Sequence, residues 1–137
     1  MSAEVKVRNA SQALEFALAY LREQAGQSTP AAGSNWREKT LYATGVEDYA
    51  ITSRLFISGE WMVEVFQGVA PVSSTIYQIT VFNPGLRLFW KGSIKADGTI
   101  LEDSPLKTLS VEGGRKLGEE MTKKINVPPP KPGGYGH

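Results

Sequence analysis

Hydrophobic residues near the start of the chain recur at helical spacing. Apolar positions follow one another at i, i+4, i+7, i+8 and i+11, which places them on one face of a helix. They are Ala10, Leu14, Ala17, Leu18 and Leu21. Asn9 with Gln12 three residues later forms a variant of the capping box, and Gly26 supplies a stop. The pattern predicts an amphipathic helix over residues 9–25 that is long enough to cover a small sheet.

After Trp36 the hydrophobic period changes from 3.6 to 2. The run that ends at Ser58 and the run that begins at Trp61 are separated by Gly59-Glu60, a pair typical of a tight hairpin. Other alternating runs cover residues 38–44, 77–82, 86–95 and 99–101. Because every connection is too short for a crossover helix, we expect an antiparallel meander. The sequence thus predicts an α+β fold with the N-terminal helix packed on a curled sheet of four to five strands.

The pattern weakens beyond Pro105. Three glycines, Gly113, Gly114 and Gly118, interrupt a stretch of helical composition, and each one disfavours a helix. We therefore expect only a short helix from about Arg115, packing Leu117, Met121 and Ile125. Residues 127–137 are rich in proline and glycine and have no apolar period, so they are predicted to be a flexible tail. Residues 1–126 are predicted to form a single domain.

Composition excludes several classes of chemistry. The 137 residues include no cysteine, which removes thiol nucleophiles, zinc fingers and iron–sulfur ligation. The one histidine, His137, is the last residue, where no scaffold can hold it for acid–base work. A net charge of +1 argues against nucleic acid as a main partner. We identify no catalytic residue, no metal ligand and no cofactor-binding residue from the sequence.

The chain also lacks the patterns of a membrane protein. No window approaches the eighteen or so apolar residues that a membrane-spanning helix needs. Charges at Glu4, Lys6 and Arg8 lie where a signal peptide would carry its apolar stretch. We therefore expect no membrane association and a cytoplasmic location.

The candidate interaction site is the sheet face away from the N-terminal helix. Strand alternation predicts that five large apolar side chains share it: Phe56, Met62, Phe66, Phe82 and Phe89. A single helix cannot cover both faces of a sheet, and a large exposed apolar patch marks an interaction site. The second helix, a loop or a second subunit could cover these side chains, and a small-molecule pocket is another possibility. We predict a homodimer or another protein partner, with Arg87 and Lys91 at the rim.

Four segments resemble the PepSY-type domains among the cystatin-like rolls. They are residues 10–18 (ASQALEFAL), 59–65 (GEWMVEV), 77–81 (YQITV) and 95–100 (KADGTI), within a region that covers about residues 9–102. The resemblance implies a non-catalytic binding or regulatory module. The loop at residues 68–74 is loosely similar to the inhibitory hairpin of cystatins, which leaves protease inhibition open.

A second functional hypothesis belongs to a different class. Helix-plus-curved-sheet rolls commonly hold a small-molecule pocket between helix and sheet, and some of them are enzymes. A cavity lined by Tyr20, Tyr42 or Tyr77 together with a buried carboxylate would favour this alternative.

Overall fold

The computed structural model describes residues 5–26, 36–46, 49–68 and 74–126, which contain two helices and six strands. In chain order these elements are α1 (Ala10–Ala25), β1 (Arg37–Val46), β2 (Tyr49–Ser58), β3 (Trp61–Gln67), β4 (Ile76–Asn83), β5 (Leu88–Lys95), β6 (Ile100–Thr108) and α2 (Val111–Asn126). The predicted tail, residues 127–137, and most of the loop at 68–74 lie outside the described residues, so those two predictions stay predictions. Neither α1 nor α2 has the length and apolar composition that crossing a bilayer requires in the part of the chain described.

The six strands form one antiparallel sheet in the order β1-β2-β3-β4-β5-β6. The α+β class and the antiparallel sheet are confirmed, but the sheet has six strands where four to five were expected. Strand β6 is also longer than predicted, because it continues from the predicted start near Ile100 through Pro105 to Thr108. Proline has no backbone N–H to donate and is tolerated in a sheet at an edge, which is where β6 lies.

Helix α1 begins and ends where the sequence predicts. The Asn9 side chain accepts a hydrogen bond from the backbone N–H of Gln12 at 2.9 Å, and the Gln12 side chain accepts one from the backbone N–H of Arg8 at 2.7 Å. The helix ends at Gly26, whose φ of 65° is left-handed and whose N–H donates to the Leu21 carbonyl. Both ends of α1 are thus capped by the residues that the sequence marks.

The main core lies between α1 and the sheet. Leu14, Leu18 and Leu21 are buried in one cluster with side chains from β3, β4 and β5. The strand members of this cluster include Trp61, Val63, Val65, Tyr77, Ile79, Val81, Trp90 and Ile94, and Leu88 packs against its margin. The two periodicities of the sequence therefore meet in one apolar layer.

Helix α2 covers part of the opposite face. A separate cluster joins Met121 of α2 to Leu55, Met62 and Phe82 of the sheet. Met62 and Phe82 are chain neighbours of Val63 and Val81 in the main core, and alternation places such neighbours on opposite faces. The sheet is thus packed on both sides, by α1 on one face and by α2 on the other.

The prediction of a short second helix was wrong about its length. Helix α2 begins at Val111, four residues before Arg115, and has 16 residues, as many as α1. Ser110 explains the earlier start because its hydroxyl accepts a hydrogen bond from the backbone N–H of Gly113 at 3.0 Å. This cap compensates for glycines in the first turn.

Candidate functional site

The strand register sets the side chains of the face away from α1, called the outer face below, in three rows across the sheet. Residues paired across an antiparallel ladder share a face, so each row can be followed from strand to strand. From β2 to β6 the first row is Ile57, Met62, Phe82, Phe89 and Lys107; the second is Leu55, Glu64, Thr80, Lys91 and Ser104; the third is Ser53, Phe66, Gln78, Ser93 and Leu101. The first row lies at the end of the sheet next to the turns at 59–60 and 84–87, and the third row lies toward the other end.

The structure removes Phe56 from the predicted site. Phe56 is paired with Val63 and belongs to the main core under α1. Phe56 is on this face because of the length of the turn after β2. The turn Gly59-Glu60 has two residues and pairs Ser58 with Trp61. Odd-numbered residues of β2 therefore share a face with even-numbered residues of β3.

Met62 and Phe82 are on the predicted face but are covered by the chain's own α2. Met62 is 9% exposed and Phe82 is fully buried, both in the cluster with Met121. One of the alternatives for this face was that the second helix covers it, and this alternative holds for Met62 and Phe82. They cannot contact a partner without displacing α2.

Two more of the predicted residues have contacts within the chain. Phe89 is half-buried, and the Nζ of Lys107 lies 5.6 Å from the centroid of its ring. Arg87 lies in the turn between β4 and β5 with a left-handed φ of 54°, and its alkyl chain lies beside Gly114 of α2. The alkyl chain of Arg87 therefore packs against α2, and its place at the rim of an interface stays a prediction.

The rest of the outer face keeps apolar side chains in contact with solvent. Phe66 is 39% exposed and Leu101 is 47% exposed, both in the third row. Ile76, which pairs with Lys95 beyond that row, is 47% exposed. We call Phe66, Ile76 and Leu101, together with their polar neighbours Glu64, Gln78 and Lys91, the open patch. The cluster under α2 includes none of these six residues.

Glu64 is held in place within the open patch. Its Oε2 atom accepts a hydrogen bond from the Ser53 hydroxyl at 3.0 Å, and Ser53 is buried. Lys91, in the same row two strands away, is exposed. The patch thus carries one hydrogen-bonded carboxylate and one exposed ammonium on either side of Thr80.

A groove runs beside α2 at the other end of the outer face. Its volume is 520 Å³, and its lining includes Met62, Pro84, Gly118, Thr122 and Lys123. Arg115 also lines it, but its guanidinium is bonded to Glu112 and, at 2.6 Å, to Glu119. The hydrogen bond with Glu112 and the nearby charge of Glu119 raise the pKa of Arg115. The guanidinium of Arg115 is therefore already paired within α2.

The tyrosines proposed for a pocket have other roles. Tyr77 is fully buried in the main core, and this burial raises its pKa. Tyr20 packs against Trp90, with ring centroids 5.7 Å apart, and its hydroxyl donates to Glu102 Oε2 at 3.2 Å. The same oxygen accepts from Trp90 Nε1 at 2.8 Å. The side chain of Tyr42 lies outside the described residues.

Desolvation, followed by the charge and the hydrogen bond of Glu102, raises the pKa of Tyr20. A phenol with a raised pKa stays protonated and keeps donating its hydrogen bond at neutral pH. The group formed by Tyr20, Trp90 and Glu102 thus links α1 to the edge strand β6.

Neither metal chemistry nor relatives add to the site. Residues 5–26, 36–46, 49–68 and 74–126 contain no group of three or more His, Cys, Asp or Glu side chains that could hold a metal ion. No family model matches the chain, and no curated protein and no solved structure is significantly similar to it. The candidate site therefore depends on geometry alone, and the open patch is the part of the predicted face that remains accessible.

Proposed function

We propose that this chain is a non-catalytic protein-binding module and that its open patch binds a second copy of the chain. The observation that carries the proposal is the exposure of Phe66, Ile76 and Leu101 on one sheet face, beyond the part that α2 covers. Burying such side chains against another apolar surface is favourable by about 25 cal/mol per Å². The resemblance to PepSY-type domains also supports binding over catalysis.

Apolar self-complementarity and the position of α2 favour a second copy as the occupant. In a face-to-face dimer whose two-fold axis runs along the third row, across the strands, the two α2 helices lie at opposite ends of the interface. Phe66 then faces Phe66 of the partner subunit, and Leu101 faces Leu101 of the partner subunit. The patch is thus complementary to itself.

The small size of the open patch sets the strength of the dimer. Three exposed apolar side chains per copy give an interface at or below the small end of specific complexes, typical of weak association. The net charge of +1 adds little repulsion between copies. We expect a monomer–dimer equilibrium that depends on protein concentration.

Sedimentation equilibrium of the full chain from about 10 µM to about 1 mM tests this proposal. We expect the wild type to dimerise within this range and Phe66→Asp to remain monomeric, because an aspartate would be buried in the interface without a partner. The matched control is Leu86→Asp, at a 56% exposed apolar residue in the turn between β4 and β5, which should dimerise like the wild type. A wild type that is monomeric throughout, or a Phe66→Asp variant that still dimerises, contradicts the proposal.

A further inference from the structure

A second cavity lies on the other side of the sheet, between the N-terminal half of α1 and strands β1 and β2. Its volume is 260 Å³. The lining residues are Ser11, Leu14 and Glu15 from α1, Trp36 next to β1, Glu38 from β1 and Phe56 from β2. Leu14 and Phe56 are buried, so the inner wall of the cavity is apolar.

Buried polar atoms without a hydrogen-bond partner concentrate at this cavity. Within the described residues there are three such side-chain atoms: Glu15 Oε2, Trp36 Nε1 and Arg54 Nε. Glu15 and Trp36 line the cavity, and Arg54 donates through Nη1 to the lining residue Glu38 at 2.8 Å. A buried polar atom without a partner is costly, and most such atoms in folded proteins are satisfied. Two of these atoms belong to lining residues and the third to a side chain bonded to a lining residue, which points to a bound group that supplies their partners.

We infer that this cavity binds a small molecule that carries a primary ammonium, a nearby acceptor oxygen and an apolar side chain. Glu15 Oε2 needs a donor, whereas Trp36 Nε1 and Arg54 Nε need acceptors. Two carboxylates, Glu15 and Glu38, against the one guanidinium of Arg54 leave a net negative charge, which favours a cationic donor. This chemistry is found in an α-amino acid and in the N-terminal residue of a peptide.

The dimensions and the walls of the cavity fit such a ligand. Typical pockets for larger organic ligands hold about 300–1,000 Å³, so this cavity suits a molecule of amino-acid size. Trp36 contributes an aromatic ring to the lining, a group that attracts cations, and Leu14 and Phe56 contribute apolar contacts for an aliphatic side chain. The site is on the α1 side of the sheet and does not depend on the open patch or on the proposed dimer.

Two-dimensional ¹H–¹⁵N NMR of the tryptophan indole N–H groups tests the inference on the full chain. The chain has three tryptophans, and the Trp36 signal is assigned by its loss in Trp36→Phe. L-leucine is the probe, and we expect it to shift the Trp36 signal in a saturable way while the signal of Trp90, bonded to Glu102, stays in place. 4-Methylpentanoate lacks the ammonium and isopentylamine lacks the carboxylate, and each should bind at least about tenfold more weakly than L-leucine.

L-leucinamide distinguishes the two sources of the ligand. It keeps the ammonium and has a carbonyl like that of a peptide. Binding as tight as that of L-leucine identifies the N-terminal residue of a peptide as the ligand, whereas clearly weaker binding identifies the free amino acid. Both results support the inferred chemistry.

Substitution of Glu15 tests the role of the carboxylate. Glu15→Gln preserves the shape but removes the charge and should weaken L-leucine binding by about tenfold or more. The matched control is Glu23→Gln, at an exposed position of the same helix, which should bind like the wild type. Unchanged Trp61 and Trp90 signals show that each variant is folded.

Three results would overturn the inference. The first is no shift of the Trp36 signal at about 50 mM L-leucine, a concentration that reveals even weak binding. The second is 4-methylpentanoate binding as tightly as L-leucine, which shows that the ammonium is not recognised. The third is a folded Glu15→Gln variant that binds L-leucine like the wild type.

Discussion

At the scale of single residues, Gly92 occupies a position of β5 that has no room for a side chain. A Cβ atom on Gly92 would lie 2.5 Å from Cη2 of Trp90 and 2.9 Å from the carbonyl oxygen of Leu101. Gly92 therefore leaves room for the Trp90 indole, which lies over its own strand and is fixed by its bond to Glu102. The alternation of β5 predicts that Trp90 is in the core. It does not predict the glycine, because the need for one arises only when the ring has been placed.

Asp97 makes a testable contribution to the pH dependence of stability. Hydrogen bonds from the Thr99 side chain and from its backbone N–H, the latter at 2.9 Å, lower the pKa of Asp97 from 3.8. A carboxylate whose pKa is lower in the folded state stabilises the fold above its unfolded pKa, and this contribution is lost as the pH falls through the folded pKa. Asp97→Asn keeps the acceptor oxygen but not the charge. In urea denaturation the wild type should be more stable than this variant at about pH 6, and the difference should shrink toward about pH 2.

A difference that is equal at both pH values would show that the charge of Asp97 does not stabilise the turn. Thr99→Val is the complementary control because it removes the side-chain donor and keeps the backbone N–H. It should reduce the pH-dependent part of the difference without removing it.

At the scale of elements, the ends of helices were predictable where a cap was recognised and not elsewhere. Asn9, Gln12 and Gly26 define α1 in the sequence as they do in the structure. For α2 the three glycines led to a predicted start that is too late. Ser110 and Glu112 do indicate the true start, because a hydroxyl cap and an acid in the first turn both stabilise a helix N-terminus. Strand β6 was shortened in the prediction because the edge position that tolerates Pro105 is a property of the assembled sheet.

The glycines of α2 differ in what they do, which leads to a prediction at this scale. A Cβ at Gly118 would meet nothing within 4 Å, so Gly118→Ala should stabilise the protein by about 0.5–1 kcal/mol through the lower entropy of the unfolded chain. At Gly114 the added methyl would lie 3.1 Å from Cγ of Arg87, and that side chain would have to move. Gly114→Ala should therefore give a smaller gain or a loss, and urea denaturation of both variants measures the difference. Equal gains from both substitutions would mean that the contact with Arg87 does not constrain α2.

At the scale of the whole molecule, the sequence located the outer face but not its cover. Alternation correctly placed Met62, Phe66, Phe82 and Phe89 together, since a strand fixes which neighbours share a side. Which of these side chains α2 covers depends on the path that this last helix takes across the sheet. The spacing of apolar residues within one segment carries no information on that path. The prediction for Phe56 was wrong because its side chain lies on the α1 face of the sheet. Which residues of two strands share a face depends on the number of residues in the turn that joins them. The cavity beside Trp36 was beyond prediction, because it joins parts of α1, β1 and β2 that are distant in the sequence.

The last prediction concerns the C-terminal residues. Residues 127–137 contain four prolines and three glycines, a composition that can continue neither a helix nor a strand ladder. Deleting residues 128–137 should leave the melting temperature within about two degrees of that of the full chain, as for changes outside the core. Differential scanning calorimetry of both forms at the same protein concentration checks this. A larger loss would show that the C-terminal residues dock on the folded domain.

The agreement between strand order and chain order has a consequence for synthesis on the ribosome. Each strand pairs with its predecessor, so the sheet can grow strand by strand as the chain emerges, and little loop-closure entropy is lost at each step. Helix α1 is made first but has to wait for β3, β4 and β5 before its apolar stripe finds a surface. Helix α2 is made last, so Leu55, Met62 and Phe82 remain uncovered until Met121 has left the ribosome. A nascent chain halted before Val111 therefore has its main core in place but still exposes these three apolar side chains of the outer face to solvent.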